Sequence, residues 1–222
     1  MDASLLFEFR VESMMMLLTI LLSVLTLLKD GMFHTSYETE VNASTEACNV
    51  EVDNMIHCLQ TNPEQLSERY FAGLGMQEDT DKNAFYLKWK ESSYSPEEQY
   101  SKLVLDVLVN EKPFLKDVVI EAFVLDSMVD ERRDIRVDIR YAGTLIKEAY
   151  GSFHVQPTGE NTAQIGMDVH VKFGWFFRIF ISRKVYSDTI DWRLVRFVTN
   201  LKLRSEGIVV DDAYWETAAG QQ

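Results

Sequence analysis

The feature that most constrains the fold is a long stretch between positions 85 and 172 in which apolar and polar residues alternate. A period of two is typical of β-strands that bury one face. The segments that carry it are 85–90, 103–109, 117–126, 135–141, 145–155 and 162–172, of which 117–126 is apolar on both faces, as a central strand would be. Consecutive strands joined by short turns pair antiparallel, because parallel neighbours need crossover connections. The sequence therefore predicts a six-strand antiparallel meander with one face covered by other parts of the chain.

Segments on either side of the meander supply that cover. Alternation in 36–43 predicts a first strand, and apolar residues at helical spacing in 52–59 predict a helix. The pair Asn62-Pro63 predicts the start of a second short helix. Residues 174–206 predict a long C-terminal helix. Its apolar positions are Ile190, Leu194, Phe197, Val198 and Leu201. The predicted fold class is α+β, with a curved antiparallel sheet covered by helices.

Residues 1–35 differ in composition from the rest, because the run from Met14 to Leu28 contains no charged residue. As a helix this run would span about 22 Å, less than the roughly 30 Å of a bilayer's hydrocarbon core. The leader before it is acidic apart from Arg10, which is a poor match to a cleaved secretory signal. Translation from a methionine in Met14–Met16 would remove that leader. Three interpretations stay open: a short membrane anchor, an export signal, or a buried or partner-binding helix. The expected location is accordingly membrane-associated or exported.

The charge balance argues against one class of partner. The chain has 35 Asp and Glu against 22 Lys and Arg, for a net charge of −13, which repels a phosphate backbone. The basic residues concentrate within 174–206, where they are expected to form the solvated face of the helix, so we expect no nucleic acid partner. The acidic tail 207–222 is predicted to be flexible, although Tyr214 and Trp215 could dock. On one helix Cys48 and Cys58 would lie about 15 Å apart, too far for a disulfide.

The predicted order of elements resembles the helix-grip fold of the START-like or SRPBCC superfamily, which includes lipid-transfer domains, polyketide cyclases and coenzyme Q-binding proteins. Residues 37–48 resemble its opening strand and first helix, and 150–162 resemble its penultimate hairpin. The motifs at 173–177 and 200–206 resemble the ends of its long helix. The resemblance covers residues 36–206, which we take as one domain.

The resemblance implies an apolar cavity between the sheet and the long helix. The residues expected to line it are Leu87, Trp89, Leu103, Leu105, Val107, Ile139, Tyr141, Phe153, Met167, Val169, Phe177 and Ile181. Such a cavity would hold a lipid-like or aromatic small molecule through apolar contact. The alternative is that these side chains simply fill the core.

Few residues suggest catalysis. Glu121 lies in an apolar strand, where burial would raise its pKa if it pointed inward; the alternative is that it faces solvent. A three-residue hairpin turn would place Glu148 opposite His170 and Tyr150 opposite Asp168, an ordinary polar pairing. His154 is too far along the strand to complete a metal site with His170. We therefore expect no metal and no cofactor, and no common catalytic motif is present.

Three functions fit these observations. The first is a membrane-tethered, non-enzymatic binder or carrier of a hydrophobic small molecule, which we expect. The second is a cyclase- or hydrolase-type enzyme on the same scaffold, with Glu121 as the weak catalytic candidate. The third is an interaction module with a filled core, in which residues 175–177 or 214–215 meet a partner.

Overall fold

The computed structural model describes residues 31–74, 85–109, 112–174 and 181–219. Its strands are β1 Met32–Val41, β2 Phe85–Ser95, β3 Tyr100–Val109, β4 Lys112–Val129, β5 Arg132–Tyr141, β6 Ile146–Gly159 and β7 Thr162–Phe173. Its helices are α1 Thr45–Thr61, α2 Pro63–Tyr70, α3 Arg183–Ser205 and α4 Asp212–Ala219. The predicted first strand begins four residues earlier than expected, at Met32 instead of Ser36.

The seven strands form one antiparallel sheet in the order β1-β7-β6-β5-β4-β3-β2. Strands β2 to β7 are the predicted meander, and β1 pairs with β7 at the far edge. This order, with two helices after the first strand and a long helix after the last, is the α+β helix-grip architecture. The structure thus confirms the predicted fold class.

Local signals position the helices at the sheet. The Ser44 side chain accepts a hydrogen bond from the Ala47 N–H at the start of α1, and Asn62 accepts one from Gln65 at the start of α2. Both are N-caps, which satisfy backbone donors that the first helical turn leaves unpaired. Pro63 follows Asn62 at the first position of α2, as the sequence predicted.

The core lies between the sheet and helices α1 and α3. Helix α3 lies over the edge strand β1 and its neighbour β7. Of the predicted apolar positions of α3, Leu194, Val198 and Leu201 are buried, and Phe197 packs against the same cluster. They meet residues of the sheet and α1, namely Val41, Val52, Ile135, Phe153, Val155 and Ile165. The periodicity therefore identified the covering face of the helix, although the described part of α3 begins at Arg183 and not at 174.

Part of the predicted tail 207–222 docks on the domain through Trp215, one of the two residues for which the sequence left docking open. It contains α4, in which the Trp215 indole N–H donates a hydrogen bond to Asn200 Oδ1 at 2.9 Å. The guanidinium carbon of Arg196 lies 3.5 Å from the centroid of the Trp215 ring. Asn200 is fully buried and donates to the carbonyls of Tyr70 and Ala72. A buried amide with three partners therefore orders this segment, which composition alone does not reveal.

Three expectations concern residues outside the described ranges. The apolar run 14–28, the lining residue Phe177 and the partner-binding candidates 175–177 all fall there. Within the described part of the chain, no helix is long and apolar enough to cross a membrane.

Candidate functional site

The concave face of the sheet is the face that α1 and α3 cover, and its members follow from strand register. Direct partners in antiparallel strands share a face. Ile135 pairs with Phe153, Phe153 with Met167, and Met167 with Tyr37, so these four side chains form one row across β5, β6, β7 and β1. The neighbouring rows contain Ile139 beside Ala149 and Val169 beside Gly151.

The structure describes eleven of the twelve predicted lining residues. Leu103, Leu105 and Phe153 are buried, whereas Leu87, Trp89, Val107, Ile139, Tyr141, Met167, Val169 and Ile181 are partly buried. Phe153 approaches Phe197 of α3 with ring centroids 6.4 Å apart, and Met167 and Val169 pack against the same core. For these three sheet residues, the contacts are those of the filled core that the sequence left as the alternative.

An open pocket of about 280 Å³ lies between α1 and the concave face. Its lining residues are Asp53, Ile56, His57 and Gln60 from α1, Tyr94 and Gln99 from β2 and the turn after it, and Val124, Asp126 and Arg133 from β4 and β5. None of them is among the predicted lining residues. Period-two alternation identifies which sheet residues face inward, but it does not tell where a helix will leave a gap above them.

A charged cluster of Arg133, Asp53 and Asp126 forms one wall of this pocket. Arg133 donates to Asp126 through Nε at 3.1 Å and Nη2 at 2.6 Å, and through Nη2 to Asp53 Oδ1 at 2.6 Å. The hydrogen bond to Asp126 is the largest influence on the pKa of Arg133 and raises it. Burial lowers this pKa, and the hydrogen bond to Asp53 raises it, so the net change is a rise. Because Asp53 belongs to α1 and Asp126 to β4, the cluster connects the helix to the sheet. The two carboxylates neutralise the guanidinium, so the wall offers no free positive charge.

Buried polar atoms without partners lie on the same face. Ser101 is 1% exposed, and its hydroxyl has no hydrogen-bond partner among the described residues. It lies opposite Tyr94 of the pocket on one side and Ala122 on the other, and Ala122 lies opposite Ile139. An unsatisfied buried hydroxyl is unfavourable by about 1–3 kcal/mol. A water or a polar group of a bound molecule would remove that penalty at Ser101.

Two further orphaned groups occur toward the edges of the concave face. The Trp89 indole N–H, on the strand pair β2 and β3, has no partner in the described part of the chain. The same holds for the Tyr186 hydroxyl of α3, whose ring lies 4.9 Å from that of Phe33. Burial, with a smaller contribution from Asp191, raises the pKa of Tyr186 to about 12. The hydroxyl therefore stays protonated at neutral pH and can donate a hydrogen bond.

Glu121 and most of the histidines, which the sequence offered as candidate catalytic or metal-binding residues, do not lie on the concave face. Glu121 pairs with Lys102 and Arg140 on the opposite, convex face, and so does not point into the concave face. His34, His154 and His170 share that convex face, because their strand partners alternate with the apolar row. Only His57 lies at the pocket. The enzymatic alternative thus loses Glu121 as an inward-facing carboxyl.

The hairpin between β6 and β7 also corrects a predicted register. Its turn consists of residues 160 and 161, so Tyr150 lies opposite His170 and Glu148 opposite Lys172. The three-residue turn predicted from the sequence was wrong.

Several solved structures are similar to this chain. A START superfamily protein from Mycobacterium smegmatis aligns at 17% identity with a TM-score of 0.45, over 78% of this chain and 97% of its own. Truncated norcoclaurine synthase from Thalictrum flavum aligns at 13% identity with a TM-score of 0.47, over 78% of this chain and 92% of its own. Zhui aromatase/cyclase from Streptomyces sp. R1128 aligns at 10% identity with a TM-score of 0.47, over 79% and 94%.

No protein-family model and no curated protein sequence matches the chain. Likeness at these identities concerns the fold alone, and the strand order with its covering helices defines the class independently. The fold that the START-like resemblance implied is thus confirmed by this topology.

Proposed function

We propose that the protein binds a hydrophobic small molecule between the concave face of the sheet and its helices, and that the pocket beside α1 is the entrance. The observation that carries the proposal is Ser101, a fully buried hydroxyl with no partner in the described structure, on an apolar face and directly opposite Tyr94 of the pocket. A ligand with one polar group would satisfy that hydroxyl while its apolar part replaces water on the sheet.

The pocket lining suggests the class of ligand. Ile56, Tyr94 and Val124 offer apolar and aromatic surface, and apolar area contributes about 25 cal/mol per Å² on burial. Gln60 and Gln99 offer uncharged hydrogen-bonding groups. Because Arg133 is already neutralised by Asp53 and Asp126, an anionic headgroup gains little there. The proposed ligand is therefore an amphiphilic or aromatic molecule with a neutral polar group.

The proposed activity is binding or carriage and not catalysis. Among the described residues, Glu121 and three of the four histidines lie on the opposite face of the sheet, and His57 at the pocket has no carboxylate hydrogen bond that would orient it as a base. The run 14–28 would keep such a carrier at a membrane. This tether belongs to the proposal and rests on composition alone.

Native mass spectrometry of the full chain, released from detergent micelles, tests the proposal. We expect an adduct whose mass differs from that of the detergent, with a molecule recovered by organic extraction. Val124→Phe should reduce the occupied fraction at least tenfold, because Val124 lines the pocket. Leu125→Phe is the matched control, because the next residue in β4 points to the other face and is 57% exposed.

Ser101→Ala supplies a second signature. Removing an unsatisfied buried hydroxyl should stabilise the ligand-free protein by about 1 kcal/mol in urea unfolding, while it lowers ligand occupancy. Repeated recovery of wild-type protein without an adduct would overturn the proposal, as would equal occupancy in the Val124 and Leu125 variants.

A further inference from the structure

The convex face contains a stack of planar side chains that crosses four strands. His34 of β1, His170 of β7 and Tyr150 of β6 are direct cross-strand neighbours. The rings of His34 and His170 stack with centroids 4.3 Å apart, and those of His170 and Tyr150 stack at 4.4 Å. The guanidinium carbon of Arg136 in β5 lies 4.0 Å from the Tyr150 centroid and ends the stack.

A carboxylate completes a group of donor atoms at one end of this stack. Asp168 precedes His170 by two residues on β7, so both side chains lie on the convex face. Its Oδ1 atom is 3.1 Å from His34 Nε2. One donor atom from each of His34, Asp168 and His170 lies within 4.8 Å of the other two. Ser36 and Ser152 are the cross-strand neighbours of Asp168, and these small side chains leave space around the carboxylate.

Two imidazole nitrogens and one carboxylate oxygen are a donor set that Zn²⁺ prefers in proteins. With bonds of about 2.0 Å, donors in a tetrahedral site lie about 3.3 Å apart. The strands hold the three backbones in register, so binding would require the donor atoms to close from within 4.8 Å to that spacing. His34 and Asp168 are 48% and 37% exposed, so an ion can reach them from solvent.

We propose that His34, Asp168 and His170 form a binding site for a divalent transition-metal ion, represented by Zn²⁺, on the convex face. The three protein ligands leave the fourth tetrahedral position to water. Tyr150 stacks on one face of the His170 ring and Arg136 stacks on Tyr150, which restricts rotation of that ring while its edge stays free for an ion. The net charge of −13 further favours accumulation of cations at the surface.

The proposal differs from the expectation of no metal that the sequence suggested. That expectation weighed His154 together with His170. The structure instead places His34 opposite His170, because β1 begins at Met32 and pairs with β7. His154 lies near Glu38, at 3.6 Å, and is not part of the group.

Calorimetric titration of ZnCl₂ into the full chain tests the proposal, in detergent and in a buffer that does not coordinate zinc, after removal of metals with a chelator. We expect one saturable site per chain. His34→Ala, His170→Ala and Asp168→Asn should each weaken binding at least tenfold. His154→Gln should leave it unchanged, and this histidine is the matched control because it lies on the same face outside the group.

Two further readouts separate metal binding from loss of structure. Zn²⁺ should raise the unfolding temperature of the wild type, because an ion that binds only the folded state stabilises it, but not that of the His34→Ala/His170→Ala double variant. Co²⁺ should give visible absorption bands of a tetrahedral site in the wild type alone. Absence of saturable binding would overturn the proposal. Retained affinity in the double variant, or an equal loss in His154→Gln, would also overturn it.

Discussion

The two faces of the sheet differ in whether their polar side chains have partners. On the convex face the ionisable side chains have one another as partners: Glu121 lies between Lys102 and Arg140, and Arg136 contacts both Asp138 and Tyr150. On the concave face, apart from the cluster of Arg133 with Asp53 and Asp126 at the pocket, few polar groups occur, and Ser101 and Trp89 have buried polar atoms with no partner among the described residues. Water covers one face, and the helices cover the other.

This difference indicates which kind of ligand each face suits. An apolar face with isolated, unsatisfied hydrogen-bonding atoms favours a largely hydrophobic molecule with a single polar group. A solvent-exposed face with imidazoles and a carboxylate in register favours an ion. Both properties arise from the same period-two alternation, because a strand presents successive residues to opposite sides.

The largest expected effect compares adjacent residues of β5. Ile135 faces the concave side and is 1% exposed, whereas Arg136 faces the convex side with 47% of its side chain exposed. Ile135→Ala should lower the free energy of unfolding by about 2–5 kcal/mol, because it removes buried methyl groups and leaves a cavity. Arg136→Ala should lower it by less than about 1 kcal/mol, because exposed ion pairs and cation–π contacts contribute little. Urea unfolding measures both, and equal losses would contradict the assignment of the faces.

The sequence predicted most of this comparison. Alternation identified the inward residues Leu103, Leu105 and Phe153, since a one-residue slip in register would have moved a whole apolar set into water. The long helix was found because its apolar residues recur at helical spacing, and Leu194 and Val198 are buried. These signals are local in the chain, so a sequence displays them directly.

The functional features depend on contacts between distant segments and were therefore missed. The pocket exists because α1 lies above β4 and β5, and no periodicity in either segment reveals that gap. The group formed by His34, Asp168 and His170 depends on the pairing of β1 with β7. His34 and Asp168 are 134 residues apart in the chain. His34 lies two residues before the predicted start of the first strand at 36, so the sequence did not place it in the sheet.

A smaller effect compares the two arginines at the start of β5. Arg133 faces the pocket with 11% of its side chain exposed, and Arg132 pairs with Asp134 at 45% exposure. Arg133→Gln should lower the free energy of unfolding by about 1–2 kcal/mol, less than for a fully buried pair because Asp53 and Asp126 remain hydrated. Arg132→Gln should change it by at most about 0.5 kcal/mol.

The measurement for this pair is urea unfolding of both variants under identical conditions. Thermal unfolding provides an independent check. If Arg132→Gln were the more destabilising of the two, the cluster of Arg133 with Asp53 and Asp126 would not be the connection between α1 and the sheet.

The smallest effect concerns a histidine on the convex face that the surroundings nevertheless bury. His154 packs over Gly166, where an added Cβ would lie 2.3 Å from its Cε1 atom. Burial first and Arg132 second lower the pKa of His154, against a smaller opposing effect of Glu38. Below the unfolded-state pKa of about 6.5, the unfolded chain therefore binds this proton more readily than the folded protein. The contribution of His154 to the free energy of unfolding should be fully present above about pH 6.5. It should decline as the pH falls through the lower folded-state pKa.

His154→Gln removes this proton and should flatten the decline of stability with falling pH. The difference in unfolding free energy between wild type and variant, measured by urea titration from pH 7.5 to 5, isolates the effect of His154. The lowered pKa of His170 is present in both proteins and cancels in that difference. At pH 7.5, where the titration begins, His154 is almost entirely uncharged in both states, so it contributes little there. Parallel curves of stability against pH for the two proteins would contradict this prediction. They would show that His154 is as hydrated as the other histidines of the convex face.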